Sequence, residues 1–465
     1  MNLNRDILRL AVPSILANIT VPLVGMVDIA VAGHLGAAGG ASAAALIGGI
    51  SIGTMLFDML YWNFGFLRAG TGGLTAQAFG KHNAGHDEAA NEIALTLKRA
   101  LGIAFASGLA LVALQWVVVQ VAFLLVDCSP EVQTLATQYF YIRIWAAPAT
   151  LSLFAFKGWF IGMQDTVRPM ICDLLVNALN ILLSIGLAFG YAGLPALGFA
   201  GVAFGTLIAQ WTGFLYAALA VRHRYGAFFK VAKTAQNAPD EKPARESGWR
   251  AFFVLNRDLF LRSVCMIAVY IGFTMIAARY GDMMLAVSTI LMKLLMIFSY
   301  FTDGFAYAGE ALTGRFIGER SREGVLSTVR GTFLWSLGVT GLFFLVYGIG
   351  GVPLLRLMTS DASVVESARA FLPWLLLMPV IGCPAFTWDG IFIGATQSKD
   401  LRNSTVWCVV GFFAVWFAGI GLLRAIHGTV PETLAVHLLM AAYFTHLFIR
   451  ALYLTLRWRK AVLSA

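Results

Sequence analysis

The chain has 465 residues, 59% of them hydrophobic and 12% charged, with a mean hydropathy of +0.77. Soluble domains carry roughly 25% charged residues, so this composition excludes a soluble globular protein and indicates a membrane protein. The net charge of +9 does not point to nucleic acid, because Lys and Arg fall in short loops between apolar stretches rather than along one face.

A span needs about 20 apolar residues, and twelve stretches qualify, predicting an all-α integral membrane protein. In chain order they are 7–33, 41–79, 93–125, 133–163, 168–190 and 196–222, then 252–279, 283–316, 328–350, 366–394, 403–424 and 434–456. The second and eighth exceed one crossing and are expected to continue as amphipathic ends. The first is too long for the core of a secretory leader, so no cleaved signal is expected. Between the sixth and seventh lies the one long polar segment, 223–251. It shares a side with Arg5, Lys81, Arg168, Arg222, Arg320, Lys399 and Arg459, whereas the opposite loops hold few charges. The bias places both termini and the 223–251 linker in the cytoplasm. The five cysteines show no CxxC or metal spacing, so neither a disulfide framework nor a metal site is expected, and no cofactor is implied.

An internal repeat sets the domain plan. GFLRAG at 65–70 matches GFAYAG at 304–309, LTAQAFG at 74–80 matches LTGRFIG at 312–318, and KGWFIGMQ at 157–164 matches DGIFIGAT at 389–396. The offsets of 239, 238 and 232 keep one order. Each half holds an even number of spans, so the repeats run parallel, a layout of secondary transporters with the substrate path at the repeat interface. The predicted domains are a lobe at 1–222, the linker at 223–251 and a second lobe at 252–465.

Charges inside spans are the functional candidates. Asp28, in VGMVDIAVAGHLG, sits about five residues before the end of the first span, on the order of 8 Å inside it. It is either a working carboxyl or a structural partner of a polar neighbour. Asn177, Asn180 and Ser184 share one face of the fifth span and can hold a carboxylate, or serve as interhelical glue. Pro22, six residues before Asp28, permits a hinge or merely shapes a static helix. Met26, Met55, Met59, Phe154 and Met163 suggest an adaptable, cation-attracting wall for substrate, the alternative being plain packing. Lys157 and Asp389 occupy equivalent repeat positions with opposite charge, which suggests an ion pair across the lobe interface.

The stretches NITVPLVGMVDIAVAGHLG (18–36), GLTAQAFGKHN (73–83), LNRDLFLRS (255–263), DGFAYAGEALTG (303–314) and DGIFIGATQSKDLRNS (389–404) carry a family resemblance over nearly the whole chain. The chain resembles the multidrug and toxic compound extrusion transporters, and among them the DinF-type branch. The resemblance implies two six-helix lobes related by a pseudo-twofold axis around a V-shaped cavity, in a bacterial cytoplasmic (inner) membrane. It implies cation-coupled export of bulky, often cationic small molecules by a monomer in contact with lipid. Asp28 matches the family's first-helix protonation site, and Asn177 and Asn180 match its pattern. Ser184 departs from it, standing where many members have a second aspartate, which leaves Asp28 as the principal proton carrier. Sodium coupling is disfavoured, because Arg262 opens the seventh span where sodium-coupled members carry acidic residues.

Two other classes compete. A flippase of lipid-linked oligosaccharides needs a basic cavity, and mid-membrane cations are few (Arg68, Lys157, Lys293). A membrane-embedded enzyme is disfavoured because HExxH, GxSxG and the P-loop are all absent.

Overall fold

A computed structural model describes residues 2–37, 42–86, 88–126, 128–235, 242–359 and 361–464, so the middle of the linker, 236–241, lies outside the described residues. All regular structure among them is helical. The chain runs through α1 (Leu3–Ala37), α2 (Ala43–Trp62), α3 (Gly65–Asn83), α4 (Glu88–Ala113), α5 (Gln115–Leu125), α6 (Pro130–Arg143), α7 (Ala147–Gly162), α8 (Val167–Phe189) and α9 (Phe199–Ala235). It continues through α10 (Lys242–Ala278), α11 (Asp282–Gly318), α12 (Arg322–Met358), α13 (Ala362–Arg369), α14 (Leu372–Gly394), α15 (Ser398–His427) and α16 (Glu432–Val462). Among the described residues, twelve helical segments are long and apolar enough to cross a membrane.

Local chemistry sets the boundaries. Ser42, Ser129 and Ser321 cap their helices by accepting from backbone N–H groups three residues on, and Pro130 follows its cap at the first helical position. Three predicted spans are broken. The 41–79 stretch divides at Asn63–Phe64, and 93–125 divides at Leu114. The 133–163 stretch passes through a 3-10 turn at Ile144–Ala146. There Pro148 has no N–H for the Ile144 carbonyl and loosens the turn before it.

The chain divides into two compact units, one formed by Leu16–Arg245 and the other by Met1–Ile15 together with Glu246–Ala465. The sequence boundary assigns residues 1–15 to the first lobe, whereas in the fold they group with the second unit through contacts to α11 and α12. Asn4 Oδ1 accepts from Trp335 Nε1 at 3.2 Å, and Ile15 and Ala11 lie against Gly304.

The repeat recurs inside each unit as the same backbone joint. In the first, Gly158 of α7 lies against the Arg68 carbonyl of α3, and a Cβ at Gly162 would stand 2.7 Å from Gly72 O and 2.9 Å from Ala76 N. In the second, Gly390 of α14 lies against the Ala306 carbonyl of α11, and a Cβ at Gly394 would meet Glu310 O and stand 3.0 Å from Gly314 N. The turn that follows is also duplicated. Gln164 and Thr396 both adopt positive φ, 58° and 55°, and the next N–H (Asp165, Gln397) donates back to Phe160 O or Phe392 O at 2.9 Å.

Candidate functional site

From Leu10 to Gly33, α1 carries one charged side chain, Asp28. That side chain is only 4% exposed, and its Oδ1 is buried without a hydrogen-bond partner. The Ser184 hydroxyl of α8 lies beside the carboxyl, and Arg143 is the cation within electrostatic reach.

The polar residues of α8 contact different helices. Asn177 Nδ2 donates to Thr20 Oγ1 of α1 at 2.7 Å, and Asn180 Nδ2 donates to Thr206 Oγ1 of α9 at 2.7 Å. Asn180 Oδ1 remains buried and without a partner. Small residues at 201, 205, 209 and 213 of α9 form a ladder against α8, the spacing that lets membrane helices approach closely. A Cβ at Gly205 would stand 2.6 Å from Ser184 N and 2.8 Å from Ser184 Oγ. This close approach holds Ser184 tightly between α9 and Asp28.

Arg143 completes the cluster, and the sequence analysis missed it. It ends α6, and its guanidinium lies over the Phe57 ring at 4.7 Å and the Tyr139 ring at 5.6 Å. Nη1 donates to Tyr139 Oη at 2.9 Å and, weakly, to Thr54 Oγ1 at 3.5 Å. Thr54, Phe57, Asp58 and Tyr61 share one face of α2 by their i, i+3, i+4, i+7 spacing. Asp28, Asp58, Tyr61 and Tyr139 are the ionisable groups around the guanidinium. No carboxylate among the described residues comes within 4 Å of it. The signal for Arg143 was the one that identified Asp28: between Glu131 and Lys157 it is the single charged residue.

Asp28 differs from five other aspartates of the two units. Asp173 pairs with Lys157 at 2.8 Å, Asp258 with Arg402 at 2.7 Å, and Asp400 with Arg457 at 3.1 Å. Asp165 pairs with Arg168, and Asp389 pairs with both Arg262 and Arg450. Of the two residues expected to pair with each other, Lys157 has Asp173 as its partner and Asp389 has Arg262 and Arg450, each inside its own unit. Arg450, 2% exposed on α16, was also overlooked as an intramembrane cation.

Of the expected substrate wall, Met26 is 67% exposed and Met55 and Met59 are exposed, whereas Phe154 is half-buried against the core of its unit. Met163 is 5% exposed, inside a packed cluster with Phe156, Trp159 and Cys172. Pro22 is exposed on α1, which continues as helix through it. Among the described residues no three His, Cys, Asp or Glu side chains gather as metal ligands.

The MatE family model matches residues 13–185 and 259–416. DNA damage-inducible protein F of Escherichia coli K12 is 34% identical over 453 residues, 97% of this chain and 91% of the relative. A probable multidrug resistance protein NorM of Thermotoga maritima is 22% identical, covering 90% of this chain and 84% of the relative. A crystal structure of MATE in the bent conformation superposes with a TM-score of 0.81 at 16% identity, covering 100% of this chain and 97% of that one, a likeness of fold. With a buried carboxyl on the first of twelve apolar helices, a duplicated helix joint and these matches, the chain belongs to the MatE family of multi-pass membrane transporters and is not an enzyme.

Proposed function

We propose that this protein is a proton-coupled exporter of bulky hydrophobic, often cationic compounds, with Asp28 carrying the proton. The observation that carries the reading is the state of that side chain. It is buried, with one oxygen unpartnered and no ion pair, where Asp165, Asp173, Asp258, Asp389 and Asp400 are all paired. A buried carboxyl without a salt bridge is free to change charge, whereas a paired one resists it.

The surroundings suit both forms. The ionised carboxylate has the Arg143 guanidinium as counter-charge and the Ser184 hydroxyl as donor. The protonated carboxyl becomes a donor, and one turn along α8 from Ser184 the Asn180 Oδ1 is a buried acceptor still lacking one. Taking a proton from outside removes the charge that favours a cationic substrate and shifts the hydrogen bonds between α1 and α8. Losing it toward the cytoplasm restores the loading form. The proton can bias the two conformations only by its differential affinity for them, and exchange between Ser184 and Asn180 supplies such a difference.

The oligosaccharide-flippase reading is weaker. Lys157, Arg262 and Arg450 are engaged by Asp173 and Asp389, so they do not form an open basic surface for pyrophosphate. Both termini and the linker face the cytoplasm of a bacterial inner membrane on the charge bias. The test is Asp28→Asn in cells lacking their own pumps. We expect ethidium and tetraphenylphosphonium efflux to fall to background, and undiminished efflux refutes the reading.

A further inference from the structure

The cytoplasmic-side ends of α12 and α16 enclose a cleft of about 340 Å³ that the transport reading does not use. It is lined by Arg322, Leu326, Val329 and Arg330 from α12, and by Trp458, Arg459 and Leu463 from α16. The α12 residues are spaced i, i+4, i+7, i+8 and so share one face. Two arginines from α12 and one from α16 thus line one cleft with an apolar floor, with no carboxylate in the lining.

Three features distinguish this cleft from a loop that merely obeys the positive-inside bias. First, its cations are not held by carboxylates, Arg459 lying over the Trp458 ring at 5.7 Å. Among the described residues Arg322, Arg330 and Arg459 pair with no carboxylate, whereas neighbouring Arg402 and Arg457 are held by Asp258 and Asp400. Second, its depth is fixed. The 25 residues from Gly331 to Leu355 carry no charged side chain, so Arg330 marks the hydrocarbon boundary and Arg322 lies about 12 Å beyond it. Third, its wall is rigid and amphipathic. The Trp458 ring stacks on Trp388 at 5.5 Å, and Trp388 is fixed by Phe333 at 4.7 Å and by donating to Thr455 Oγ1 at 2.8 Å. Trp458 Nε1 makes no hydrogen bond to a described residue and is left to donate. The Ser321 cap also puts the start of α12 at the cleft, adding a helix N-terminus that favours an anion.

We propose that this cleft binds one acidic glycerophospholipid, its phosphodiester held by Arg322, Arg330 and Arg459 and its first methylenes lying on Leu326, Val329 and Leu463. Guanidinium is suited to phosphate through paired, planar N–H donors. Basic pockets between membrane helices on the cytoplasmic side are where acidic headgroups are held. A free anion would leave the apolar floor bare, so the lipid is the occupant.

Native mass spectrometry of the detergent-purified protein tests this. Titrated with dioleoyl phosphatidylglycerol, the protein should retain one lipid at energies that strip dioleoyl phosphatidylcholine. Arg330→Gln with Arg459→Gln should weaken that retention about thirtyfold, from two basic groups at headgroup depth. Arg330→Lys with Arg459→Lys should keep much of it and shows that the site tolerates substitution. Arg222→Gln with Arg224→Gln, equally basic and exposed on α9, should leave it unchanged. Equal retention of phosphatidylcholine, an equal loss in the α9 pair, or displacement of the lipid by millimolar inorganic phosphate each overturns the proposal.

Discussion

Replacing Arg143 with glutamine separates the two components of the Asp28 cluster. The guanidinium makes one good hydrogen bond, 2.9 Å to Tyr139 Oη, and one cation–π contact, 4.7 Å to Phe57. Losing these costs about 1.5–3 kcal/mol for the charged hydrogen bond and up to ~2 kcal/mol for the desolvated ring contact. Removing a buried cation with no carboxylate within 4 Å returns several kcal/mol of desolvation. The terms nearly cancel, so the variant should fold and run as a single peak in detergent.

The functional consequence should be larger. On the proposed mechanism Arg143 supplies the counter-charge for the loading form of Asp28, so its loss should change the pH dependence of transport and not only the amount of folded protein. In everted vesicles assayed across pH 6–9, the pH of half-maximal ethidium uptake should move by about one unit, the lower end of the effect of an opposite charge on a carboxyl, and Arg143→Lys should restore part of the shift. An unchanged midpoint with only reduced maximal rate would show that Arg143 merely supports the helix, refuting the counter-ion argument.

Other outcomes follow from the same geometry. Gly158→Ala and Gly390→Ala each drive a Cβ into a backbone carbonyl that cannot move aside, so each should cost about 3 kcal/mol or more and abolish the monodisperse peak. Gly341→Ala, with open space around its Cβ position, should gain up to about 1 kcal/mol in thermal stability. Thr206→Val removes the acceptor of Asn180 Nδ2 and frees the amide to rotate, so it should impair efflux at unchanged expression. Equal efflux would show that Asn180 need not be oriented. Asp361 caps α13 through Ser363 and Val364, and these bonds hold its carboxyl below the usual carboxylate range. Its contribution is therefore present above that range and lost as pH falls through the lowered value. The protection of the Ser363 and Val364 amides, taken against the intrinsic exchange rate at each pH, should fall in acid, and in Asp361→Asn that protection should not respond to pH.

Much of this was legible in the sequence, for identifiable reasons. Apolar length located the spans, and the repeat motifs located a joint whose glycines meet backbone in both units. Asp28 and the α8 face were legible because a polar group in a long apolar run has few structural excuses. Three things were not. Thr20 and Thr206, which partner Asn177 and Asn180, are single hydroxyls among many, and only packing selects them. The partners of Lys157 and Asp389, Asp173 and Arg262 with Arg450, lie inside each unit, and repeat equivalence says nothing about them. Arg143 gave the same signal as Asp28 inside the predicted 133–163 span, but the break behind it at Ile144–Ala146, which sets it at the end of α6, shows only in the fold.

The paired glycine joint also bears on how such a protein changes over generations. Because Gly158 meets the Arg68 carbonyl and Gly390 meets the Ala306 carbonyl, the crossing is set by main-chain atoms common to every residue. Side chains beside it can drift without altering it, and they have: lysine at 157 against aspartate at 389, arginine at 68 against alanine at 306. A duplicated gene with such a joint inherits two frames that stay alike while their charges diverge. One half keeps a buried aspartate, Asp28, on its first apolar helix, and the other holds Asp258, Asp389 and Asp400 in ion pairs.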